Sequence, residues 1–236
     1  MKTSKRIHVA ARIFALLLLL LLLLALLSGA REAAAQTDAG RTNFDEEEGE
    51  AEGAQSSGGP FGLERPANEY GVWGGGSLDS PTLIGKFEDA RLGLIGLRYA
   101  RVLARGENVA LKYTADALPV AALSFPSTTL PGTRRTIYGA GLAPVGFQVN
   151  FRRRERVQPF AQASGGFLYF GERIPDARGA QFNFTADFGG GVQVKTGARR
   201  AWTFGYRYHH ISNGYRANAN PGFDSNLFYA GFSIFR

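Results

Sequence analysis

The stretch QFNFTADFGGGVQVK, residues 181–195, decides the fold. Its even positions are Phe182, Phe184, Ala186, Phe188, Gly190, Val192 and Val194. Its odd positions are Gln181, Asn183, Thr185, Asp187, Gly189, Gly191, Gln193 and Lys195. Successive side chains of a strand point to opposite faces, so one face is apolar or glycine and the other polar or glycine. A helix would bring residues three and four apart together and mix the two sets. The stretch therefore reads as a long two-faced strand.

Working outward, the same alternation recurs. Val109, Leu111, Tyr113 and Ala115 share a face in 108–117, and Val145, Phe147, Val149 and Phe151 do so in 137–151. Further strands read at 157–170, 201–212 and 227–235, with less regular ones at 69–77 and 91–103. No helix-length apolar period appears from Glu69 onward. Eight alternating strands close either as a soluble barrel or sandwich or as an outer-membrane barrel. Strand length and aromatics near strand ends favour the membrane. So do the connections, tight at 105–107, 152–156 and 196–200 and longer at 77–89, 126–134, 171–179 and 213–223. Short periplasmic turns and longer outer loops produce that pattern. The expected fold is all-β: an eight-stranded antiparallel transmembrane β-barrel of the outer membrane over residues 69–236.

The N-terminal part agrees with export. Lys2, Lys5, Arg6 and Arg12 precede an almost wholly apolar run from Ile13 to Leu27, and small residues follow, so 1–35 reads as a cleaved signal peptide. Residues 36–68 are acidic, rich in Gly and Ser and poor in large apolar side chains, and are expected to be disordered. The absence of cysteine excludes a lipoprotein anchor and any disulfide. The formal net charge of +7 hides an uneven distribution, since residues 61–236 hold 21 Lys/Arg and 12 Asp/Glu. On an exported β protein that surplus points to anionic lipid head groups and away from nucleic acid.

With both termini periplasmic, odd-numbered strands run outward, and the seventh ends at the outer leaflet. It opens the stretch TFGYRYHHISNGYRANANPGFD, residues 203–224. Trp202, Phe204, Tyr206, Tyr208, His210 and Ser212 share one face; Thr203, Gly205, Arg207 and His209 share the other, which suits a polar lumen. Parity thus turns His210 and Ser212 toward lipid and His209 away. Desolvated polar groups on a lipid face are costly and need a reason. Residues i and i+2 of a strand can touch, so His210 can reach the Ser212 hydroxyl, and Asp224 can return to the same face across the loop. A serine, an imidazole to take its proton and an acid to orient the imidazole are the parts of nucleophilic catalysis. Asn213 or neighbouring backbone amides could stabilise an oxyanion. The same residues also suit a non-catalytic small barrel that is structural or binds a surface partner.

The segment HHISNGYRANANPGFDS, followed by LFYAGFSIF, resembles the lipid A 3-O-deacylases, the PagL-like acyloxyacyl hydrolase family. The resemblance rests on the His-x-Ser-Asn strand end and on a carboxylate twelve residues after the serine. It implies an outer-membrane esterase that removes the ester-linked 3-O-acyl chain of lipid A. It further implies Ser212 as nucleophile, His210 as general base and then acid, Asp224 as orienter and Asn213 as oxyanion donor. The family pattern has Glu where this chain has Asp224. Lipid A or lipopolysaccharide would be the partner, with no cofactor, no metal and no nucleic acid; a homodimer is an admissible assembly.

Overall fold

The computed structural model describes residues 67–236. The expected signal peptide and nearly all of the acidic segment lie outside the described residues. The strands are β1 (Asn68–Ser77), β2 (Arg91–Arg105), β3 (Val109–Pro126), β4 (Arg134–Phe151), β5 (Val157–Ile174), β6 (Ala180–Gly197), β7 (Arg200–Ser212) and β8 (Phe223–Phe235). Each pairs antiparallel with its sequence neighbour, and β1 pairs with β8 from Glu69↔Phe235 to Gly76↔Phe228, closing the barrel. Closure leaves no sheet edge, the condition for crossing hydrocarbon with strands.

Side chains such as Tyr70, Val72, Leu97, Val145, Phe204 and Phe228 are exposed on the outer wall. A belt of that kind would be a liability in water and is the lipid face of a membrane barrel. The interior has two zones. Toward the outer end it is apolar, with Leu92, Leu123, Phe125, Leu168, Phe170 and Ile211 fully buried. Toward the periplasmic end it is polar and internally paired. Asp116 meets Arg98 at 2.8 Å and Arg207 at 3.4 Å, and Lys112 meets Glu69 at 2.7 Å. Gln193 donates to Glu69 at 2.8 Å and accepts from Lys112 and Asn150 at 3.1 Å. The Arg207 guanidinium also lies over the Trp73 and Tyr229 rings, at 4.3 and 4.5 Å from their centroids.

All eight expected strands form, and three boundaries move by four residues or more. β3 runs nine residues past Ala117, because the inward-facing parity switches within it. Lys112, Thr114, Asp116 and Leu118 point inward, and so do Ala121, Leu123 and Phe125, with a register shift between Leu118 and Ala121. Pro119 sits in that irregularity, where a residue lacking an N–H costs the ladder least. β4 has a matching shift between Leu142 and Val145, and there the Pro144 carbonyl accepts the Tyr113 hydroxyl. A strict period of two cannot be followed across such a bulge. The connection expected at 171–179 shrinks to 175–179, because β5 continues to Ile174. β8 begins at Phe223 instead of Leu227, so Asp224 belongs to a strand.

Asp116 pairs with two buried guanidinium groups at once. Asp116→Ala should therefore destabilise the barrel by about 3–5 kcal/mol, the cost of leaving buried charge unpaired. A lowered unfolding midpoint, read from heat-modifiable gel mobility or from urea titration in detergent, is the expected outcome.

Candidate active site at the outer end of β7 and β8

The site is built by the pairing of β7 with β8. Their register sets His210 directly opposite Asp224 and Ile211 opposite Phe223. Directly opposed residues of an antiparallel pair have Cβ atoms about 5 Å apart. The shorter aspartate side chain therefore suffices: Asp224 Oδ1 lies 2.6 Å from His210 Nδ1. With the carboxylate ionised, this contact requires the proton on Nδ1, and in the neutral imidazole Nε2 is then the acceptor.

Parity behaves as expected from sequence. Trp202 and Phe204 are exposed on the outer wall, whereas Thr203, Arg207 and His209 are buried inside. The His209 side chain is 3% exposed and lies 3.7 Å from Asp187, in the polar interior. His210 retains 17% exposure. The two adjacent histidines thus occupy different solvents.

Beyond Ser212 the chain turns through Gly214 and Tyr215, both at positive φ (64° and 62°). The loop 213–222 folds back so that Asn220 meets Ser212. Asn220 Oδ1 accepts the Asn213 backbone N–H at 2.9 Å, which fixes the amide orientation and turns Nδ2 toward Ser212 Oγ, also at 2.9 Å. The Gly214 N–H donates to the same Oγ at 3.2 Å. In this structure Ser212 Oγ is held by Asn220 and Gly214, and the bond to His210 is not made.

Asn213 departs from its expected position. It continues the odd parity of β7 and turns inward, 1% exposed, with Nδ2 donating to the Ala219 carbonyl at 2.7 Å. The polar groups that touch the serine oxygen belong to Asn220 and Gly214. Asn220 escaped the sequence reading because it lies mid-loop, eight residues from Ser212, and only the return of the loop brings it close. The N-x-N-P-G run before Phe223 was its only signal.

The acid is held from a second direction. The β1–β2 loop, 78–90, donates the N–H groups of Ile84 and Gly85 to Asp224 Oδ2 at 2.8 and 2.7 Å. The Ile84 N–H is shared with the Tyr208 hydroxyl at 3.2 Å. Asp224 is fully buried as a result, although its parity faces outward. Gly222 adopts φ 70°, and a Cβ there would come within 3.0 Å of His210 Cε1 and of Gly85 Cα, so only glycine fits without displacement.

On the lipid side Ser212 is flanked by aromatics. Phe184 is its register partner on β6 and is 45% exposed. Phe182 packs edge-on against Phe184 at 5.2 Å and stacks on Phe167 at 5.3 Å. The Arg216 guanidinium lies over Phe182 at 5.4 Å. Nearby, the Arg178 carbonyl in the β5–β6 loop accepts the Ala219 N–H, tying the two loops together. The Arg178 side chain bonds to Asp176 and holds its carboxyl below the usual carboxylate range. Among the described residues, no three His, Cys, Asp or Glu side chains are grouped to hold a metal ion. The arrangement is that of a hydroxyl, an acid-oriented imidazole and two N–H donors beside an apolar wall.

The chain is similar to known outer-membrane proteins. The solved structure of the outer-membrane enzyme PagL superposes with a TM-score of 0.50 at 18% identity, covering 72% of this chain and 100% of that one. Neisserial surface protein A gives 0.43 at 14% identity, covering 71% and 97%. OprG from Pseudomonas aeruginosa gives 0.39 at 11%, covering 72% and 96%. The first of these supports the fold, and none supports the homodimer admitted from sequence. No curated protein matches the chain significantly. The family profile described as Lipid A 3-O-deacylase (PagL) matches residues 104–233, more than half of the chain and all of the site except the β1–β2 loop. An outer-membrane β-barrel with this match, the chain belongs to the lipid A 3-O-deacylase (PagL) family.

Proposed function

We propose that this protein hydrolyses the ester-linked 3-O-acyl chain of lipid A in the outer leaflet, with Ser212, His210 and Asp224 as its catalytic triad. The observation that carries the proposal is the 2.6 Å His210–Asp224 contact on the outward face of the barrel, two residues from an outward-facing serine. Family membership supplies the substrate class.

Asp224 holds the Nδ1–H tautomer, so Nε2 is free to take the Ser212 proton. Closing that contact requires Ser212 Oγ to turn from Asn220 toward His210, a rotamer change within one strand face. Catalytic hydrogen bonds commonly tighten only when substrate is bound. Oγ then attacks the acyl carbonyl carbon, and the negative charge passes to the carbonyl oxygen. Asn220 Nδ2 and the Gly214 N–H, which lie at Oγ, are the donors for that oxyanion; they take the role expected of Asn213, whose side chain is bonded to Ala219. The ester C–O bond then breaks as the imidazolium gives its proton to the departing sugar 3-oxygen, leaving an acyl-serine. Water, deprotonated by His210, attacks the acyl-serine carbonyl, releasing the free 3-hydroxy fatty acid and restoring Ser212.

The apolar wall of Phe184, Phe182 and Phe167 gives an acyl chain a surface to follow from Ser212, and Arg216 provides positive charge at head-group level. A soluble hydrolase would have to extract the lipid; a serine on the outer wall of a barrel meets it in the leaflet.

Mass spectrometry of lipid A and of released 3-hydroxy fatty acid, from outer membranes carrying each variant, tests the proposal. Ser212→Ala should abolish release, and equal release by Ser212→Ala and wild type would leave a non-catalytic surface-binding barrel as the reading. Asn220→Ala should lower kcat by ~10²-fold, the scale of a lost oxyanion donor. Asn213→Ala should instead act mainly on barrel stability; the reverse pattern would return the oxyanion role to Asn213. A fluorophosphonate probe should label Ser212, and His210→Asn should prevent the labelling.

A further inference from the structure

The β1–β2 loop is anchored at several separate points to the strand end that bears the acid. Asp79 Oδ2 accepts from Asn226 Nδ2 at 2.8 Å. Ser80 Oγ lies 2.8 Å from the Asp224 carbonyl and 2.8 Å from that of Phe87. Lys86 and Phe87 donate their N–H groups to Pro221 and Gly222 at 2.8 and 3.2 Å. The Phe87 ring stacks on Phe223 at 4.6 Å and meets Phe125 edge-on at 5.4 Å. Asn226 and Asp224 face outward on β8, whereas Phe223 faces inward. The loop therefore hooks over the barrel rim, with its aromatic foot in the apolar core and residues 84–85 lying across the outside of Asp224.

We infer that this strap is a positioning element of the active site: the Ile84 and Gly85 N–H groups fix the Asp224 carboxylate in the rotamer that orients His210. This inference rests on the esterase reading above. A carboxylate has two oxygens, and here they divide the labour. Oδ1 faces the imidazole, and Oδ2 is held by two backbone donors that carry no side-chain entropy. A side chain on residue 85 has no room, since a Cβ would lie 2.7 Å from the Gly222 carbonyl oxygen and 3.0 Å from Asp224 Oδ1. Only backbone can approach the acid this closely, and glycine is the residue that permits it. The strap also explains how an outward-facing carboxylate is tolerated at the edge of the hydrocarbon. It screens the charge from lipid and supplies the donors that water would otherwise provide. Leu83, 73% exposed, and Ile84 project from the same turn, so the segment that fixes the acid also faces the leaflet from which substrate comes.

The test is a cycle of variants in the full chain, refolded in detergent, with release of 3-hydroxy fatty acid from purified lipopolysaccharide as the assay. Ile84→Pro removes one N–H from Asp224, and Gly85→Ala pushes the strap away from it. Each should lower kcat by about tenfold or more with KM little changed, the scale of a hydrogen bond to a charged group. Heat-modifiable mobility should remain that of the folded barrel. In an Asp224→Asn background, Ile84→Pro should cost almost nothing further, because residues that act through one another are not additive. Leu83→Pro removes a neighbouring N–H that does not reach Asp224 and is the control for proline in the strap. Full additivity with Asp224→Asn, or an equal loss from Leu83→Pro, would overturn the assignment of the two amides. If Ser212→Ala is inactive while both strap variants keep wild-type kcat, the strap inference fails and the esterase reading stands. If Ser212→Ala is as active as wild type, the esterase reading fails with it.

Discussion

In hydrocarbon a backbone amide without a partner has no water to turn to, and each such group costs several kcal/mol. The pairing of β1 with β8 answers that constraint, and the rest of the molecule follows from it. Once the ladder closes, every strand has a lumen face and a lipid face, and side-chain parity becomes a choice of solvent. Arg207 and His209 fall into a polar interior; Tyr208, His210 and Ser212 fall outside. A slip of one residue in β7 would exchange these sets and carry the serine into a packed core.

The same ladder creates the site without help from chain proximity. His210 and Asp224 are fourteen residues apart and directly opposed across β7 and β8. That register shortens the required reach, so an aspartate meets the imidazole at a position where the family pattern has glutamate. The loops then finish what the strands begin. One returns Asn220 to the serine, and the other brings two backbone N–H groups over the rim to the acid. The polar zone below and the apolar zone above keep the barrel from collapsing or filling with solvent, and the site stands at the outer end of the apolar zone.

The fold was legible wherever alternation ran unbroken. In 181–195 every odd residue is polar or glycine, and β6 forms with that face inward. Legibility ended at bulges. Leu118 and Ala121 both point inward, a pattern that contradicts a period of two, so the sequence reading of β3 stopped at Ala117. Boundaries at the outer rim failed for another reason: Ile174 and Phe223 extend strands through pairing that local composition does not announce. Of the candidate site, the nearness of His210, Ser212 and Asp224 was legible because two share a strand face and the third follows a turn marked by Pro221 and Gly222. The inward placement of Asn213 follows from its odd parity in β7, a property that its residue type does not announce.

By itself the sequence determined the strand count, the closed barrel, its outward-running seventh strand and the opposite faces of two adjacent histidines. These depend on patterns of period two and on loop lengths, both local properties. Only the tertiary structure decided which amide reaches the serine, how an aspartate spans to the imidazole, and that the first outer loop lies against the acid. Those contacts join residues from 8 to 140 positions apart. Their geometry is set by the closure of the whole barrel and by the return paths of its loops, which no local pattern encodes.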